Sequence, residues 1–398
     1  MRVLLVHNTG ASSLPSGEES VVRQEAKSLE SAGVDCRLHM ISSEQLYGKG
    51  LWGRIKIGLN IFWSFPAMAL IDQLLDQEQP DIVHFHGVLP LLTPAVFFAC
   101  KRRGIPVVQT LHNFRWLCVE GGLFRANHYC DRCLGGIGWQ GVIHGCARGS
   151  RLLSLVLFLV NVIYIVTGLL QKWVDHFIAV SDFVRITYMY AGFSEEKITI
   201  KANTLEALPP LSDHERSGVA YAGRLSAGKG TSILRHLIHT LDIPIHIIGD
   251  GPDFQDLKKF CCLEKHTHVV FTGYLSRVEV LDIFARSQCV VVPSLCGETF
   301  GLTALEAFSC GTPVVASRLG GLTELLTASQ GGFLADPNQP DTFSQAIRQL
   351  LSDHQEARRL GKAGRAFVEL SPYGRSAAKQ LCTIYEKLPS FQIKAKVT

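Results

Sequence analysis

The sequence PSLCGETFGLTALEAFSCG, residues Pro293–Gly311, contains the clearest information about the fold. The apolar run Cys289–Val292 precedes it and predicts a short buried strand. A loop of small residues follows, and an apolar stripe predicts a helix that starts near Gly301 and ends at Gly311. Val314–Ala316 predicts the next strand. This is a strand–loop–helix–strand unit of an α/β protein, in which ligands bind at strand carboxyl ends and helix N-termini.

Two carboxylates in this stretch, Glu298 and Glu306, are candidate ligand-binding groups. If both lay on one helix, they would be about 12 Å apart along its axis. The acid and base of a glycosidase are closer, roughly 5–9.5 Å apart. The spacing therefore favours a ligand held at two ends, such as a sugar and a ribose joined by a diphosphate. Taken alone, the pattern fits a solvated helix face better than a ligand site.

The stretch resembles the E-x7-E motif of glycosyltransferase family 4, retaining enzymes of the two-domain GT-B architecture. The matching residues are Pro293, Ser294, Glu298, Phe300, Gly301, Leu302 and Glu306. A second stretch, GRLSAGKG at 223–230, is similar to the family's G-R-L-x3-K-G, whose Arg and Lys hold the donor diphosphate. The resemblance implies an α/β fold with two Rossmann-like domains facing a central cleft. It also assigns diphosphate contacts to Arg224 and Lys229, and it makes Gly223 a donor-binding residue.

Composition and alternating strand and helix patterns agree with two α/β domains. The 398 residues are 47% apolar, include 36 glycines and carry a net charge of +4, which gives no support for a nucleic-acid partner. The first apolar run, Val3–Val6, is too short for a signal peptide and predicts a cytoplasmic protein. We expect an acceptor-side domain over 1–205 with a cysteine-rich insert at 118–146, a Pro- and charge-rich linker, and a nucleotide-sugar domain over 217–375. The resemblance implies that the helix at 376–388 crosses back to the first domain. Ile55–Leu75 predicts one long apolar helix.

Further site residues follow from the resemblance. His112, at the carboxyl end of a predicted strand, matches a sugar-contacting histidine, although Asn113 stands where the family usually has Asp. Ser16-Gly17 stands in place of a glycine pair in the family's acceptor-side loop, and an ordinary βα turn is the alternative. His84 and His86, also at a strand end, are expected to be structural. The catalytic candidates are Arg224, Lys229, Glu298 and His112, and the donor-binding candidates are Gly17, Gly223, Tyr274, Leu275, Phe300, Gly301, Leu302 and Glu306.

Four cysteines in the insert suggest a structural metal site. Cys118, Cys130, Cys133 and Cys146 provide four soft ligands within a loop that has no strong periodicity. Such spacing suits tetrahedral Zn²⁺, which would order an otherwise long irregular loop. Reduced thiols are the alternative interpretation, and an iron–sulfur cluster is the third. A similar insert resembles one subgroup of bacterial polysaccharide glycosyltransferases.

Residues 152–170 form a nearly continuous apolar segment as long as a membrane span. A crossing would place His112 and the phosphate-binding residues on opposite sides of a bilayer, so a span is rejected. Two alternatives remain, a helix buried in the domain and a helix lying in the membrane surface. Arginines in the insert would suit an anionic acceptor or lipid headgroups on the inner face of the membrane.

The motifs together predict glycosyl transfer. A D-x-D metal motif is absent from the sequence, so Arg224, Lys229 and helix N–H groups would stabilise the departing diphosphate without a cofactor. Glu298 would hold the donor sugar and Glu306 the ribose. The predicted enzyme is a hexosyltransferase that moves a sugar from a UDP- or GDP-linked donor to a saccharide or lipid-linked saccharide in polysaccharide biosynthesis. Alternatives are a sugar-nucleotide epimerase or hydrolase, and a non-catalytic metal- or membrane-binding module on the same fold. The partial glycine motif at Gly249–Phe254 lacks its third glycine, which argues against dinucleotide binding.

Overall fold

The computed structural model describes residues 1–9, 16–48, 50–205, 208–211, 215–371 and 377–388. The chain divides into two compact units. The first comprises Met1–Gly121, Arg132–Thr204 and the segment from Ser376 onward, and the second comprises Gly122–Asp131 and Leu205–Arg375. The sequence predicts that the cysteine-rich insert lies in the first domain, but its residues 122–131 belong to the second unit, where Phe124 packs against the apolar core.

The first unit is built on a parallel sheet of six strands in the order β2-β1-β3-β4-β7-β8. Its strands are β1 (Arg2–Asn8), β2 (Asp35–Ile41), β3 (Ile82–Phe85), β4 (Val107–Leu111), β7 (His176–Ala179) and β8 (Ile198–Ile200). Strands β3 and β4 are buried along their whole length, as expected for central strands that are covered on both faces.

Ten helices of the described residues belong to this unit. They are α1 (Gly17–Ser31), α2 (Ser43–Tyr47), α3 (Gly50–Leu59), α4 (Phe65–Glu78), α5 (Ala95–Arg102), α6 (Gln140–Ile143), α7 (Arg151–Val166), α8 (Leu169–Trp173), α9 (Asp182–Tyr190) and α17 (Ala377–Glu386). The single helix predicted over Ile55–Leu75 is wrong, because the chain breaks between α3 and α4. Ser64 caps α4 by accepting the Ala67 N–H at 3.0 Å, and Pro66 lies in the first turn, where it cannot extend a preceding helix.

The terminal helix α17 completes the core of the first unit. Leu381 and Tyr385 lie fully buried in one apolar cluster with Val3 of β1 and Leu29 of α1. The Ala378 N–H donates to Ser28 Oγ of α1 at 3.1 Å. The last described helix therefore packs in the same core as the first strand and the first helix of the chain.

The second unit contains another parallel six-stranded sheet, in the order β11-β10-β9-β12-β13-β14. Its strands are β9 (Val219–Ala222), β10 (Ile245–Ile248), β11 (Val269–Gly273), β12 (Cys289–Val292), β13 (Val314–Ser317) and β14 (Gly332–Ala335). Its helices are α10 (Thr231–Thr240), α11 (Phe254–Leu263), α12 (Arg277–Arg286), α13 (Leu302–Ser309), α14 (Gly321–Ser329), α15 (Asp341–Ser352) and α16 (His354–Leu370). From β9 the chain runs outward to β11 and then returns to β12 on the other side of β9. The strand order thus reverses between β9 and β12, where open α/β sheets bind their ligands.

A short antiparallel hairpin, β5 (Phe124–Arg125) and β6 (His128–Tyr129), also belongs to the second unit. Phe124 packs against that unit's apolar core. The Gly297 N–H donates to Gly122 O at 2.8 Å, and His128 Nδ1 lies 3.2 Å from Asn338 Oδ1. The hairpin is therefore attached to the loop that follows β12.

Candidate functional site

Two loops meet at the point where the strand order reverses in the second unit. Residues 223–230 follow β9 and residues 293–301 follow β12. The N–H groups of Leu295 and Cys296 both donate to Gly228 O, at 2.9 and 3.1 Å. Gly230 has φ +81°, and a Cβ at this position would overlap the carbonyl of Pro293. The close approach of the two loops therefore depends on glycine at position 230.

Lys229 and Glu298 form an ion pair between these loops. Ser294 Oγ donates to the same carboxylate oxygen of Glu298 at 2.7 Å. Burial opposes ionisation of Glu298, but Lys229 and Ser294 outweigh it and lower the pKa of Glu298 below its usual value. Desolvation likewise opposes the charge of Lys229, and the neighbouring Glu298 carboxylate overcomes it and raises the pKa of Lys229. Both groups are therefore charged at neutral pH.

Glu306 lies on α13 and pairs with Arg277, the first residue of α12. Arg277 Nε is 3.3 Å from Glu306 Oε1. Burial raises the pKa of Glu306, and Arg277 opposes that rise. Glu298 lies in the loop before α13, so the two carboxylates do not share the helical spacing considered above. Sequence reasoning missed Arg277, although it follows the predicted base-contacting residues Tyr274 and Leu275 in the chain.

The remaining candidates of the second unit lie at strand ends and at the start of α13. Arg224 is exposed after β9, and among the described residues its guanidinium has no ion-pair partner. Tyr221 OH donates to Arg224 O at 3.0 Å and so fixes the turn at Gly223. Tyr274 is exposed after β11 and Leu275 is partly buried. At the start of α13, Phe300 is buried, Gly301 is the N-cap with φ +105° and Leu302 is the first helical residue. The first N–H groups of such a helix lack helical partners and suit an anion.

The partial glycine motif after β10 serves packing. A Cβ on Gly249 or Gly251 would overlap the backbone of the turn at Gly223–Leu225. The Leu225 N–H donates to Asp250 O at 3.0 Å. These glycines therefore allow the turn after β10 to pack closely against residues 223–230, the candidate diphosphate-binding loop.

In the first unit, His112 follows β4 and His86 follows the neighbouring strand β3. His86 Nδ1 lies 2.9 Å from His112 Nε2, and the two rings stack with their centroids 5.2 Å apart. Burial lowers the pKa of His112 to about 4 and holds the pKa of His86 well below its usual value. His84, expected to be structural, has both ring nitrogens 2.8 Å from hydroxyls, those of Tyr385 and Thr110.

Gly17 begins α1, and Ser16 caps that helix by accepting the Glu19 N–H at 3.2 Å. Residues 10–15 of the same predicted loop lie outside the described part of the chain. The described portion is an ordinary capped helix start, and a role for Gly17 in ligand binding stays a prediction.

Cys118 is buried, and the other three cysteines of the insert, Cys130, Cys133 and Cys146, are partly buried. Cys130 belongs to the second unit, whereas Cys118, Cys133 and Cys146 belong to the first. Within the described residues, the group whose metal-ligand atoms all lie within 4.8 Å of one another is Glu25, His84 and His86, and the cysteines form no such group there. The zinc site stays a prediction.

Helix α7, within the apolar segment 152–170, turns its polar side chains inward. Ser154, Asn161 and Tyr164 are buried, and the latter two donate to Arg115 O at 2.8 Å and to Phe62 O at 2.7 Å. The exposed face is apolar and consists of Leu152, Leu155, Leu159, Ile163 and Val166. No helix in the described ranges is long and apolar enough to span a bilayer. The helix is also not fully buried.

Other exposed apolar side chains lie on further elements of the first unit. They are Trp52, Ile55 and Leu59 on α3, Phe62 and Phe65 in the turn that contacts Tyr164, and Trp139 and Ile143 at α6. Exposed cations accompany them, namely Lys56, Arg148 and Arg151. We refer to these exposed residues and the exposed side of α7 collectively as the apolar face.

Comparison with known proteins places this architecture in a family. The family model described as Glycosyltransferase Family 4 matches residues 15–204, and the model described as Glycosyl transferases group 1 matches residues 209–367. The HepE protein of Anabaena, solved in complex with UDP and glucose, superposes with a TM-score of 0.69, covering 98% of this chain and 100% of that one at 17% identity. The fold is GT-B, two Rossmann-like domains. The chain belongs to glycosyltransferase family 4.

Curated relatives match a part of their own length. D-inositol 3-phosphate glycosyltransferase of Corynebacterium urealyticum is 34% identical over 186 residues, which is 43% of this chain and 43% of the relative. A GDP-mannose-dependent alpha-(1-6)-phosphatidylinositol dimannoside mannosyltransferase of Mycobacterium tuberculosis is 34% identical over 174 residues, 42% of this chain and 43% of the relative. The matched region therefore spans less than half the length of these relatives.

Proposed function

We propose that the protein is a retaining glycosyltransferase that moves a hexosyl group from a nucleoside diphosphate sugar to an acceptor hydroxyl. The observation that carries the proposal is the Lys229–Glu298 pair beside the N-terminus of α13, at the reversal of strand order. Few other ligands need a cation, a carboxylate and free helix N–H groups side by side. A diphosphate takes the cation and the N–H groups, and sugar hydroxyls donate to the carboxylate.

Charge stabilisation is the chemical task of this site. When the glycosidic bond to the diphosphate breaks, the departing phosphate gains negative charge. Lys229, the exposed Arg224 and the first N–H groups of α13 would meet that charge, and their fixed positions make reorganisation unnecessary. Glu298, kept ionised by Lys229, would accept hydrogen bonds from hydroxyls of the donor sugar. These protein groups supply the stabilisation without a metal ion.

Glu306 would bind the ribose of the donor. A carboxylate accepts from two adjacent hydroxyls at once, and Arg277 holds this one in position. Tyr274 and Leu275 would lie beside the base. A solved structure with UDP bound and a GDP-mannose-dependent relative support a UDP- or GDP-linked donor.

The proposed acceptor is a saccharide or lipid-linked saccharide of polysaccharide biosynthesis. Support comes from the relative named for phosphatidylinositol dimannoside and from the apolar face described above. A sugar-nucleotide epimerase or hydrolase is the competing proposal, and it predicts consumption of the donor when no acceptor is present.

Donor binding is tested first, by thermal shift with UDP-glucose, UDP-galactose, UDP-N-acetylglucosamine and GDP-mannose. Stabilisation by at least one donor at millimolar concentration is expected, and stabilisation by none would contradict the proposal. Nucleotide release is then measured with and without a bacterial lipid-linked saccharide fraction. Acceptor-dependent release with a retained anomeric configuration, read from the proton coupling of the product, supports the transferase. Release that is independent of acceptor supports the hydrolase.

We also propose that the apolar face binds the surface of an anionic membrane. Helix α7 exposes leucine, isoleucine and valine while it buries serine, asparagine and tyrosine, the reverse of a helix at a water-facing surface. The exposed Trp52 and Trp139 suit the interfacial region of a bilayer, and Lys56, Arg148 and Arg151 complement anionic headgroups. Such an enzyme would lie on the inner membrane surface, close to a lipid-linked acceptor.

Flotation with phosphatidylcholine vesicles, with and without phosphatidylglycerol, tests membrane binding. Leu152→Ser combined with Val166→Ser should reduce vesicle binding at least tenfold, because each side chain contributes about 1.5 kcal/mol or more when inserted. Leu263→Ser on α11, an equally exposed leucine of the second unit, is the control and should bind as the unaltered protein does. Dimerisation through α7 without vesicle binding would contradict the proposal.

The proposal of a structural zinc ion at Cys118, Cys130, Cys133 and Cys146 is tested by metal analysis of the purified protein. One zinc per chain is expected, with these four thiols protected from alkylation until a chelator is added. Absence of zinc together with four titratable thiols would exclude the site. Cys262, which is exposed on α11, is the internal control for thiol reactivity.

A further inference from the structure

Arg216, which lies just before β9 in the second unit, packs against the carboxyl end of α13. Its guanidinium group donates to Cys310 O at 2.9 Å, to Ser287 O at 3.4 Å and to the hydroxyl of Thr312. Cys310 is the C-cap of α13, so its carbonyl oxygen belongs to the negative end of that helix. The helix that presents its N-terminus to the candidate site therefore has an arginine at its other end.

The charge of Arg216 is not matched by a carboxylate. In the described part of the chain, the acceptors of its hydrogen bonds are two carbonyl oxygens and a hydroxyl oxygen. Burial lowers the pKa of Arg216, but a guanidinium group stays protonated at neutral pH. This partly buried side chain therefore keeps a full positive charge beside the carboxyl end of α13.

Other cations around α13 are paired with carboxylates. Arg365, which donates to Ser309 O at the end of the helix, also pairs with Glu369. The remaining pairs, described above, are Lys229–Glu298 and Arg277–Glu306. Each of these pairs is close to neutral, so it adds little to the attraction of the site for an anion. Arg216 and Arg224, by contrast, have no ion-pair partner within the described residues.

We infer that Arg216 raises the affinity of the N-terminus of α13 for anionic ligands without touching them. This inference rests on the proposed function, in which that N-terminus binds the donor diphosphate. The helix has eight residues, five of them buried, and is about 12 Å long, so the field of Arg216 reaches its other end mostly through the protein interior. A unit charge interacts over this distance more strongly there than in water. Arg216 is a positioning residue in this sense, since it acts on the ligand through α13.

A purely structural role is the competing explanation. Arg216 holds the turn after α13 by its hydrogen bonds, and Thr312 in turn donates to Phe284 O at 2.7 Å. If this were its whole effect, loss of Arg216 would displace α13, and every ligand of that helix would bind less well. Glu306 on α13 is the proposed ribose contact, so an uncharged nucleoside would lose as much affinity as a nucleoside diphosphate. The charge of the ligand therefore separates the two explanations.

The test compares ligands of different charge on the full-length protein. Affinities for UDP, UMP and uridine, for GDP, GMP and guanosine, and for inorganic pyrophosphate are measured by calorimetry or by ligand-observed NMR. Arg216→Gln removes the charge but keeps an amide that can donate to Cys310 O, whereas Arg216→Lys keeps the charge. In Arg216→Gln we expect a loss of about threefold or more for the diphosphate that binds, a smaller loss for its monophosphate and none for its nucleoside. Arg216→Lys should bind all of them as the unaltered protein does.

A uniform loss across the charge series, or unaltered diphosphate affinity in Arg216→Gln, would overturn the inference. Glu369→Gln provides a second measurement that leaves Arg216 in place. It leaves the charge of Arg365 unmatched at the same end of α13, so diphosphate binding should tighten by roughly 1.5-fold, a modest gain because Glu369 is half exposed to screening water. Weaker or unchanged diphosphate binding in this variant would contradict the inference. Lys258→Gln removes an exposed charge on α11 and is the control that should change no affinity.

The outcomes separate this inference from the proposed function. If pyrophosphate binds and Arg216→Gln weakens its binding, but no nucleotide or nucleotide sugar binds, the proposed function fails and the role of Arg216 stands. If a nucleotide sugar is transferred but Arg216→Gln binds diphosphates normally, the inference fails and the proposed function stands. Binding of neither pyrophosphate nor any nucleotide would overturn both.

Discussion

At the scale of single residues, Lys229 is the group on which the proposed chemistry depends most. In the ligand-free chain its charge is matched by Glu298, so the site is already balanced before a donor arrives. A diphosphate that binds beside Lys229 adds negative charge, which the helix N-terminus and Arg224 help to compensate. In the proposed mechanism, Lys229 would therefore both keep Glu298 ionised and stabilise the leaving group.

Lys229→Ala should lower kcat at saturating donor by about a hundredfold or more, the cost of one lost charge-stabilising donor. Turnover is measured by nucleotide release with the donor and acceptor identified by the screen above. Lys258→Ala, a lysine on α11 whose ammonium lies above the Phe254 ring, is the matched control and should turn over normally. Near-normal turnover of Lys229→Ala would remove this residue from the mechanism.

Residues with distinctive sequence spacing were the ones that could be predicted. Lys229, Glu298 and Glu306 stand within motifs, and the structure places the first two in contact. Arg277 could not be found in this way, because its pairing with Glu306 joins two helices that are separate in the chain. The hydrogen bond between His112 and His86 was missed for the same reason, since these residues follow two different strands.

At the scale of elements, the two loops at the reversal of strand order form one structure. Gly228 O accepts two N–H groups from the loop after β12, and Gly230 passes beneath the carbonyl of Pro293. Lys229 lies between these two glycines, so its position is fixed on both sides by contacts with the neighbouring loop.

Gly230→Ala should destabilise the second unit by at least about 2 kcal/mol, because alanine disfavours φ +81° and its Cβ would overlap Pro293 O. Unfolding in urea and donor affinity should both be impaired. Gly228→Ala is the matched control, because a Cβ there would make only ordinary contacts, 3.6 Å from Cys296 and Phe124. Equal stability of the two variants would show that the loop contact is not what fixes Lys229.

Central elements were predicted more successfully than peripheral ones. The buried strands β1, β3, β9 and β12 have continuous apolar runs that sequence reasoning recognises. The edge strand β2 alternates apolar and polar residues over Asp35–Ile41, and the edge strand β14 is only partly buried. Neither was predicted. The hairpin at 124–129 has two residues per strand and is stabilised by distant partners, so local sequence could not define it.

At the scale of the whole molecule, buried neutral histidines make folding sensitive to acid. His7, His84, His86 and His112 are all buried in the first unit, and desolvation lowers the pKa of each, to about 4 for His7 and His112. In the unfolded chain these groups protonate near pH 6.5. The unfolded state therefore binds more protons than the folded state between about pH 6.5 and 4, and stability must fall as pH falls through this range.

The free energy of unfolding of the first unit should decrease by up to about 1.4 kcal/mol per pH unit for each of these histidines below pH 6.5. Tryptophan fluorescence reports this unit selectively, because all five tryptophans, at 52, 63, 116, 139 and 173, belong to it. Urea unfolding followed by fluorescence between about pH 7.5 and 5 measures the slope. A flat profile would mean that the histidines are not buried as neutral groups.

The segment 122–131, which contains the hairpin, determines how the chain can be divided into fragments and in what order its second unit can fold. A fragment of residues 205–375 alone would lack the Phe124 side chain and the Gly122 carbonyl that accepts the Gly297 N–H. We expect this fragment to be less soluble than one to which residues 122–131 are fused. During synthesis these ten residues leave the ribosome well before β9 exists. The second unit therefore completes its fold with a segment that was synthesised earlier. Translation pauses within 132–204 would lengthen the time before that segment can pack.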